Sequence, residues 1–424
     1  MRPVAKFFGA ARTGATSKET TVRRTPAAVV FALATAIVAA GCSGRPYGDL
    51  VIGTTAPGAS TVDLLVATTR APVVEPPGVM FGGSRGADLH FADIVVSIPP
   101  DHKPGDVEWP GRPPGDPARD FVTLRADRMD LAQAKAVFNA RLARTPGRKV
   151  LIFVHGYNTR FEEAVYRFAQ IVHDSRTTVA PLLFTWPSGG NATDYVYDRD
   201  SAMYSRDAFE TVLQALVNNP NVGSISILAH SMGNYLTVET LRQMAIRDHG
   251  LPKKIRDVML ASPDIDVDVF RRQIAQIDAS PRSTEFTLFV SRDDKALGLS
   301  SFLAGDSTRL GSLDPTKQPY SSMLEQARVN VIDLTSVQSN DAFNHGKFAS
   351  GEVVSAVGSR LAEGQALSDG RAGLVESFGA FAKGAVNVAT DAAVGTVTAP
   401  ARLTDPARLE KSVETSPGAT TQQK

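Results

Sequence analysis

From Lys149 to Leu334 short apolar runs alternate with longer amphipathic stretches, and no other feature narrows the fold as much. Val150–Val154 is apolar at every position, as expected of a strand buried on both faces. The spacing then predicts a helix from about Phe161 to His173, a strand over Pro181–Trp186 and a long helix from about Ser201 to Asn218. A strand over Ser224–Ala229 and a helix over Met232–Ile246 follow. Three more strands are expected at Val258–Ala261, Thr284–Val290 and Val329–Leu334, with helical stretches between and after them. Such alternation implies a mostly parallel sheet covered by helices on both faces, an α/β architecture. Upstream, Val62–Thr69 and Ala92–Pro99 read as strands, antiparallel to each other, among Pro/Gly-rich loops densest from Pro104 to Pro117. Asp130 to Thr145 has helical spacing, with Leu131, Ala134, Phe138 and Leu142 on one face. No internal repeat is visible.

The ends differ from this middle. The first residues are basic, with Glu19 as the only carboxylate; Arg23 and Arg24 close the charged part, and an apolar stretch runs from Ala27 to Ala40. A charged flank, a short apolar run and small residues describe an export signal. The run falls short of the about 20 residues needed to span a bilayer. Cys42 is the only cysteine, which rules out an intrachain disulfide or a Cys-built zinc cage. Ala39-Ala40-Gly41-Cys42 resembles the lipobox of bacterial lipoproteins. That resemblance implies lipidation at Cys42, cleavage before it, and a domain hung from a membrane of the cell envelope by its lipid. Residues 43–60 read as a Gly/Pro/Ser/Thr-rich tether, 61–363 as one large domain, and 364–424 as a Gly/Ala-rich tail, disordered at its end. In the tail, Leu374, Phe378 and Phe381 would share one helix face.

A hydrophobic fraction of 43% supplies a sizeable core, and a net charge of +1 leaves no basic excess to bind nucleic acid. No H-E-x-x-H, P-loop or dinucleotide fingerprint occurs, so neither a metal nor an organic cofactor is expected.

One strand-to-helix junction carries chemistry. Ala229-His230-Ser231-Met232-Gly233 matches the nucleophile-elbow pattern G-x-S-x-G with Ala in the first place. A serine there sits on a sharp, strained turn that only small neighbours two residues away permit. The turn lifts the hydroxyl clear of the sheet and aims a helix N-terminus at it, so the Met232 N–H can donate to a developing oxyanion. His155-Gly156-Tyr157-Asn158, at the end of the earlier strand, resembles the His-Gly turn that shapes the second oxyanion donor in α/β-hydrolases; that resemblance implies the Tyr157 N–H as this donor, with His155 itself in a structural role.

A serine hydroxyl needs a base, and the base a carboxylate to orient it. In this arrangement the chain order is Ser, then Asp or Glu, then His. Of seven histidines only His249 and His345 follow Ser231. His249 would lie roughly 25 Å away at the far end of the elbow helix. His345, just past the last strand, is the expected base. For the acid, Ser291-Arg292-Asp293-Asp294-Lys295-Ala296-Leu297 follows the strand ending at Val290 and resembles the G-x-x-D-x-x-V segment that carries the acid in many α/β-hydrolases; that resemblance implies Asp294, while Asp293, Asp264 and Asp266 stay open.

Six stretches together resemble a bacterial family of α/β-hydrolases without an assigned function. They are Ala67–Arg70, Phe153–Asn158, Phe184–Ser188, Ala229–Asn234, Ala261–Asp266 and Ser291–Leu297, and the resemblance runs from about Leu64 to Leu361. It implies the α/β-hydrolase fold and a Ser-His-Asp site. The resulting expectation is a serine hydrolase acting on a small-molecule or lipid ester. An acyltransferase or amidase with the same triad and a non-catalytic envelope binding protein are the alternatives.

Overall fold

The structure is a computed structural model; it describes residues 47–278, 283–339 and 341–363. The expected export signal with Cys42, and the tail from residue 364, lie outside the described residues. Among the described residues, nine strands form one mixed sheet in the order β3-β2-β1-β5-β4-β6-β7-β8-β9. Strands β1 (Ser60–Pro72), β2 (Phe81–Ile98) and β3 (Val122–Met129) are antiparallel neighbours at one side. The rest run parallel: β4 (Lys149–Val154), β5 (Ala180–Thr185), β6 (Ser224–His230), β7 (Ile255–Ala261), β8 (Glu285–Val290) and β9 (Val329–Asp333). β1 joins the two parts by pairing parallel to β5, with Leu65 opposite Leu182.

Strand period two sends alternate residues of β4 into two cores. Val150, Ile152 and Val154 enter one; Leu151 and Phe153 enter the other. The first core is closed by α1 (Leu131–Arg144), α3 (Tyr195–Tyr204), α4 (Arg206–Asn218), α5 (Met232–Arg247) and α6 (Val267–Ile277). The second is closed by α2 (Phe161–Ser175) and α9 (Gly351–Glu363). Helices α7 (Lys295–Leu303) and α8 (Tyr320–Gln326) lie in the connections on either side of Pro319. α1 starts where Asp130 and Gln133 exchange side-chain-to-backbone hydrogen bonds, a capping box that satisfies two otherwise orphan N–H groups.

Three expectations change. The stretch expected as a tether packs on the domain from Tyr47 onward. Leu50 is buried, Gly53 N–H donates to Thr123 O at 2.8 Å, and the Tyr166 hydroxyl donates to Asp49 O at 2.9 Å. The long helix over 201–218 is two helices broken at Ser205. The Ser205 hydroxyl bonds back to Ser201 O at 2.8 Å and lies 2.7 Å from Thr69 Oγ1 on β1, and this competition with the backbone ends α3. β3 is an added strand. Its outer positions carry Arg125, Asp127 and Arg128, the charge pattern of a protected sheet edge rather than an apolar run.

Candidate functional site

The parallel strands β4, β6, β7 and β8 deliver their C-terminal ends to one side of the sheet, and the side chains singled out above gather there. Ser231 joins β6 to α5 with φ 52° and ψ −122°, a backbone conformation that L side chains rarely adopt. The surrounding backbone over-determines it. Ser231 N–H donates to Ala261 O, while Ser231 O accepts the N–H groups of Asn234 and Asp264. The Asn234 amide donates to Ser231 O at 3.1 Å and to Ala261 O at 2.8 Å, tying the elbow to β7.

The small residues of the motif have a measurable reason. A Cβ on Gly233 would stand 2.3 Å from His155 O and 2.7 Å from Val154 O. A Cβ on Gly156 would stand 2.8 Å from Ser231 Cβ and 2.9 Å from His230 Nδ1. The elbow therefore packs directly against the end of β4, which brings Gly156, the residue before Tyr157, against Ser231. Met232 is the first residue of α5, so its N–H has no acceptor within the helix.

His345 lies in the loop after β9, and its Nδ1 is 2.7 Å from Asp294 Oδ2. The other Asp294 oxygen caps α7 by accepting Leu297 N–H at 3.0 Å. Burial works against a charged His345, but the hydrogen bond and charge of Asp294, with Asp264 and Asp341, outweigh it and hold the imidazole above its ordinary value. The loop is pinned as well. Asp341 Oδ2 accepts the N–H groups of His345 and Gly346 at 2.6 and 2.8 Å. His345 O accepts a hydrogen bond from His230 Nε2 at 3.2 Å. The His230 ring stands 4.6 Å from the His345 ring and stacks on Phe348 at 4.4 Å. Burial first, then the neighbouring His345, push His230 well below the ordinary imidazole range, so it stays neutral with the proton on Nε2.

The four candidate carboxylates have different partners, and the hydrogen bond on the His345 ring comes from Asp294. Asp293 pairs with the buried Lys347 ammonium at 2.8 and 2.9 Å. Asp266 caps α6 through Asp268 and Val269 N–H. Asp264 reaches the same cavity as Ser231, but its oxygens accept from the hydroxyls of Ser300 (2.5 Å) and Tyr195 (3.0 Å), with Arg309 Nε 3.2 Å away.

The loop after β4 has its own scaffold, which sequence reasoning missed. Arg70 is fully buried at the end of β1. Its guanidinium donates to Thr159 O at 2.7 Å, to Gly82 O and Ser188 O at 3.0 Å, and to Thr185 Oγ1 at 2.8 Å. Asp198, on α3, accepts the N–H groups of Asn158 (2.9 Å) and Gly189 (2.7 Å) and the Ser188 hydroxyl (2.6 Å). His155 receives Trp186 N–H on Nε2 at 3.1 Å, so its proton is on Nδ1, facing Gly156 O at 2.8 Å. Burial, aided by the Arg70 charge, pushes His155 down to about 3, which makes it a neutral brace. The signal for Arg70 was its place in the Ala67–Arg70 stretch; Asp198 stands in no motif.

Ser231, His345, Asp264 and Tyr157 open onto one cavity of about 1690 Å³. Exposed Leu299, Leu303 and Phe343 line it too.

This sheet, with a strained serine between a parallel strand and the helix behind it, defines an α/β-hydrolase. The chain belongs to the family described as alpha/beta hydrolase of unknown function (DUF900), whose model matches residues 130–361. An uncharacterized protein, alr1448, of Nostoc sp. (strain PCC 7120) is 26% identical over 136 residues, 26% of this chain and 35% of that protein. The match thus spans about a third of the length of that relative. A chain from a structural study of two fungal esterases from Rhizomucor miehei is 12% identical, with a TM-score of 0.32 over 77% of this chain and 95% of that one.

Proposed function

We propose that the chain is a serine hydrolase that cleaves carboxylic esters through an acyl-enzyme. The observation that carries this reading is His345 held by Asp294 at 2.7 Å in the cavity that contains Ser231. Asp294 fixes the tautomer with a proton on Nδ1, so Nε2 takes the Ser231 proton as Oγ attacks the ester carbonyl. The N–H groups of Tyr157 and Met232 hold the oxyanion. Collapse breaks the ester C–O bond, and the leaving alcohol takes the proton from Nε2. Water, deprotonated by His345, then attacks the acyl-enzyme and releases the acid and Ser231. The apolar rim of Leu299, Leu303 and Phe343 supports an acyl chain as the part of the substrate that enters. Lipidation at Cys42, a few residues before the chain docks on the domain, would place this mouth close to a membrane of the cell envelope.

The test is hydrolysis of p-nitrophenyl esters of increasing acyl length, with a fluorophosphonate probe on the same samples. Turnover and labelling that both vanish in Ser231→Ala, with turnover lost in His345→Ala, are the expected result. A folded parent that neither turns over nor labels would reject the enzyme reading and leave a binding protein. Labelling without turnover of any ester would point to the transferase or amidase alternative.

A further inference from the structure

We infer that His102, His173 and Asp174 form a zinc-binding site beside the cavity, tying the loop after β2 to the last turn of α2. No sequence motif announces it, because His102 stands 72 residues from Asp174. The three side chains nevertheless converge. One donor atom from each lies within 4.8 Å of the others. His102 Nε2 and His173 Nδ1 both point at the same oxygen, Asp174 Oδ1, each at 2.9 Å. Two imidazole nitrogens and a carboxylate oxygen are the donor set of an open tetrahedral zinc site. Zinc bonds of about 2.0–2.2 Å place such donors roughly 3.4 Å apart, so small side-chain shifts admit the ion in place of the protons now between them.

The outer partners argue for a built site rather than a chance meeting. His102 Nδ1 is 2.7 Å from Glu108 Oε2, the carboxylate–histidine pairing that orients a ligating imidazole and raises its basicity. Asp174 Oδ2 accepts the Gln170 amide and Gly105 N–H, both at 2.7 Å, which fixes the carboxylate and leaves Oδ1 for the ion. The His102 and Asp174 side chains are buried, at 3% and 1% exposure, while His173 is 31% exposed and gives the ion a way in. His173, Asp174 and Glu108 line the same large cavity as Ser231, so a fourth position occupied by water would face it. The ion would hold the loop carrying Glu108 and Trp109 as one wall of that cavity. This inference is independent of any role for Ser231.

The purified chain, stripped with a chelator, is titrated with Zn²⁺ alone against a chromophoric competitor, and with Co²⁺ to read its visible ligand-field bands. We expect one equivalent of Zn²⁺ per chain at micromolar affinity or tighter, four-coordinate Co²⁺ bands, and an unchanged result in Ser231→Ala. Glu108→Gln should weaken binding about 10–100-fold, the usual cost of losing an outer partner, and His173→Gln by more than that. His173 is partly exposed and Gln keeps a hydrogen bond to Asp174, so this variant should fold, which circular dichroism checks. A stripped chain that takes up no metal, or binding that survives in His173→Gln, overturns the site.

Discussion

The α-carbon of Gly156 faces Ser231 so closely that a methyl group on it would sit 2.8 Å from Ser231 Cβ. The contact joins the end of β4 to the elbow and sets the distance between the Tyr157 N–H and the serine. Gly156→Ala must push the two apart, because His230 Nδ1 closes the other side at 2.9 Å. Overpacking of this kind costs about 1–3 kcal/mol. The loss of kcat/KM on an activated ester should be larger, about 100-fold or more, since displacing one oxyanion donor costs about 10²–10³. Equal kcat/KM in Gly156→Ala and the parent would show that the loop does not shape the reacting site.

The raised pKa of His345 predicts a pH profile. In the mechanism proposed above only neutral His345 accepts the serine proton, so kcat/KM should rise through a value above about 6.5, the ordinary imidazole pKa. For stability the sign is opposite. Because the folded value is raised, the His345–Asp294 interaction contributes fully below the unfolded value and is lost as pH climbs through the folded one. Asp294→Asn removes the largest upward influence, so its activity limb should move toward acid and its plateau fall by about 10⁴-fold, the loss expected when the tautomer is no longer fixed. A limb that stays in place would mean that another group sets it.

Arg70 is a buried cation whose guanidinium is spent on carbonyls and a hydroxyl, and burial lowers its pKa to about 10 despite nearby Glu162 and Asp198. Arg70→Met would strand Thr159 O, Gly82 O and Ser188 O together. Each buried carbonyl left unpaired costs about 1–3 kcal/mol, so with three of them a loss of at least about 3 kcal/mol in urea unfolding is expected. Arg70→Lys should recover only part of it, because one ammonium cannot reach both Thr159 and Gly82 in the planar fork geometry. Full recovery by Lys would reduce the role of Arg70 to its charge.

The legible parts of this chain are those in which one residue type has one explanation. Val150–Val154 of β4 is a continuous apolar run because both of its faces are covered, and the elbow needs small residues because Gly233 presses on His155 O. Chain order and helix length together bring His345 forward, since His249 lies just past the far end of the elbow helix. Among Asp264, Asp266, Asp293 and Asp294 the sequence favours Asp294 but does not close the choice. All four follow strands, and what separates them is a partner distant in sequence: Tyr195 and Ser300 for Asp264, Ser307 for Asp266, Lys347 for Asp293 and His345 for Asp294. The same holds for Ser205, whose break in the helix depends on Thr69, and for His102 and Asp174. Long-range polar pairing has no period, so pattern reading passes over it.

Lys347 offers the last test of how the His345 loop is held. Its ammonium is buried two residues from His345 and gives four contacts: both Asp293 oxygens, Leu334 O at 3.2 Å and Thr335 O at 2.9 Å. Lys347→Met removes the charge and keeps the stem. Breaking a buried pair costs about 3–5 kcal/mol when the abandoned charge stays dry. Asp293 is 41% exposed and can rehydrate, so the loss should fall near the lower limit, about 3 kcal/mol with the two carbonyls included. Asn344 also leans on Asp293, at 3.0 Å, so the freed carboxylate lets the turn before His345 loosen. Activity should then drop through kcat more than KM, because the imidazole still reaches Asp294 but spends less time aligned with Ser231. A variant that loses stability with kcat intact would show that the contacts of Asp341, His230 and Asp294 suffice to keep the base in place without Lys347.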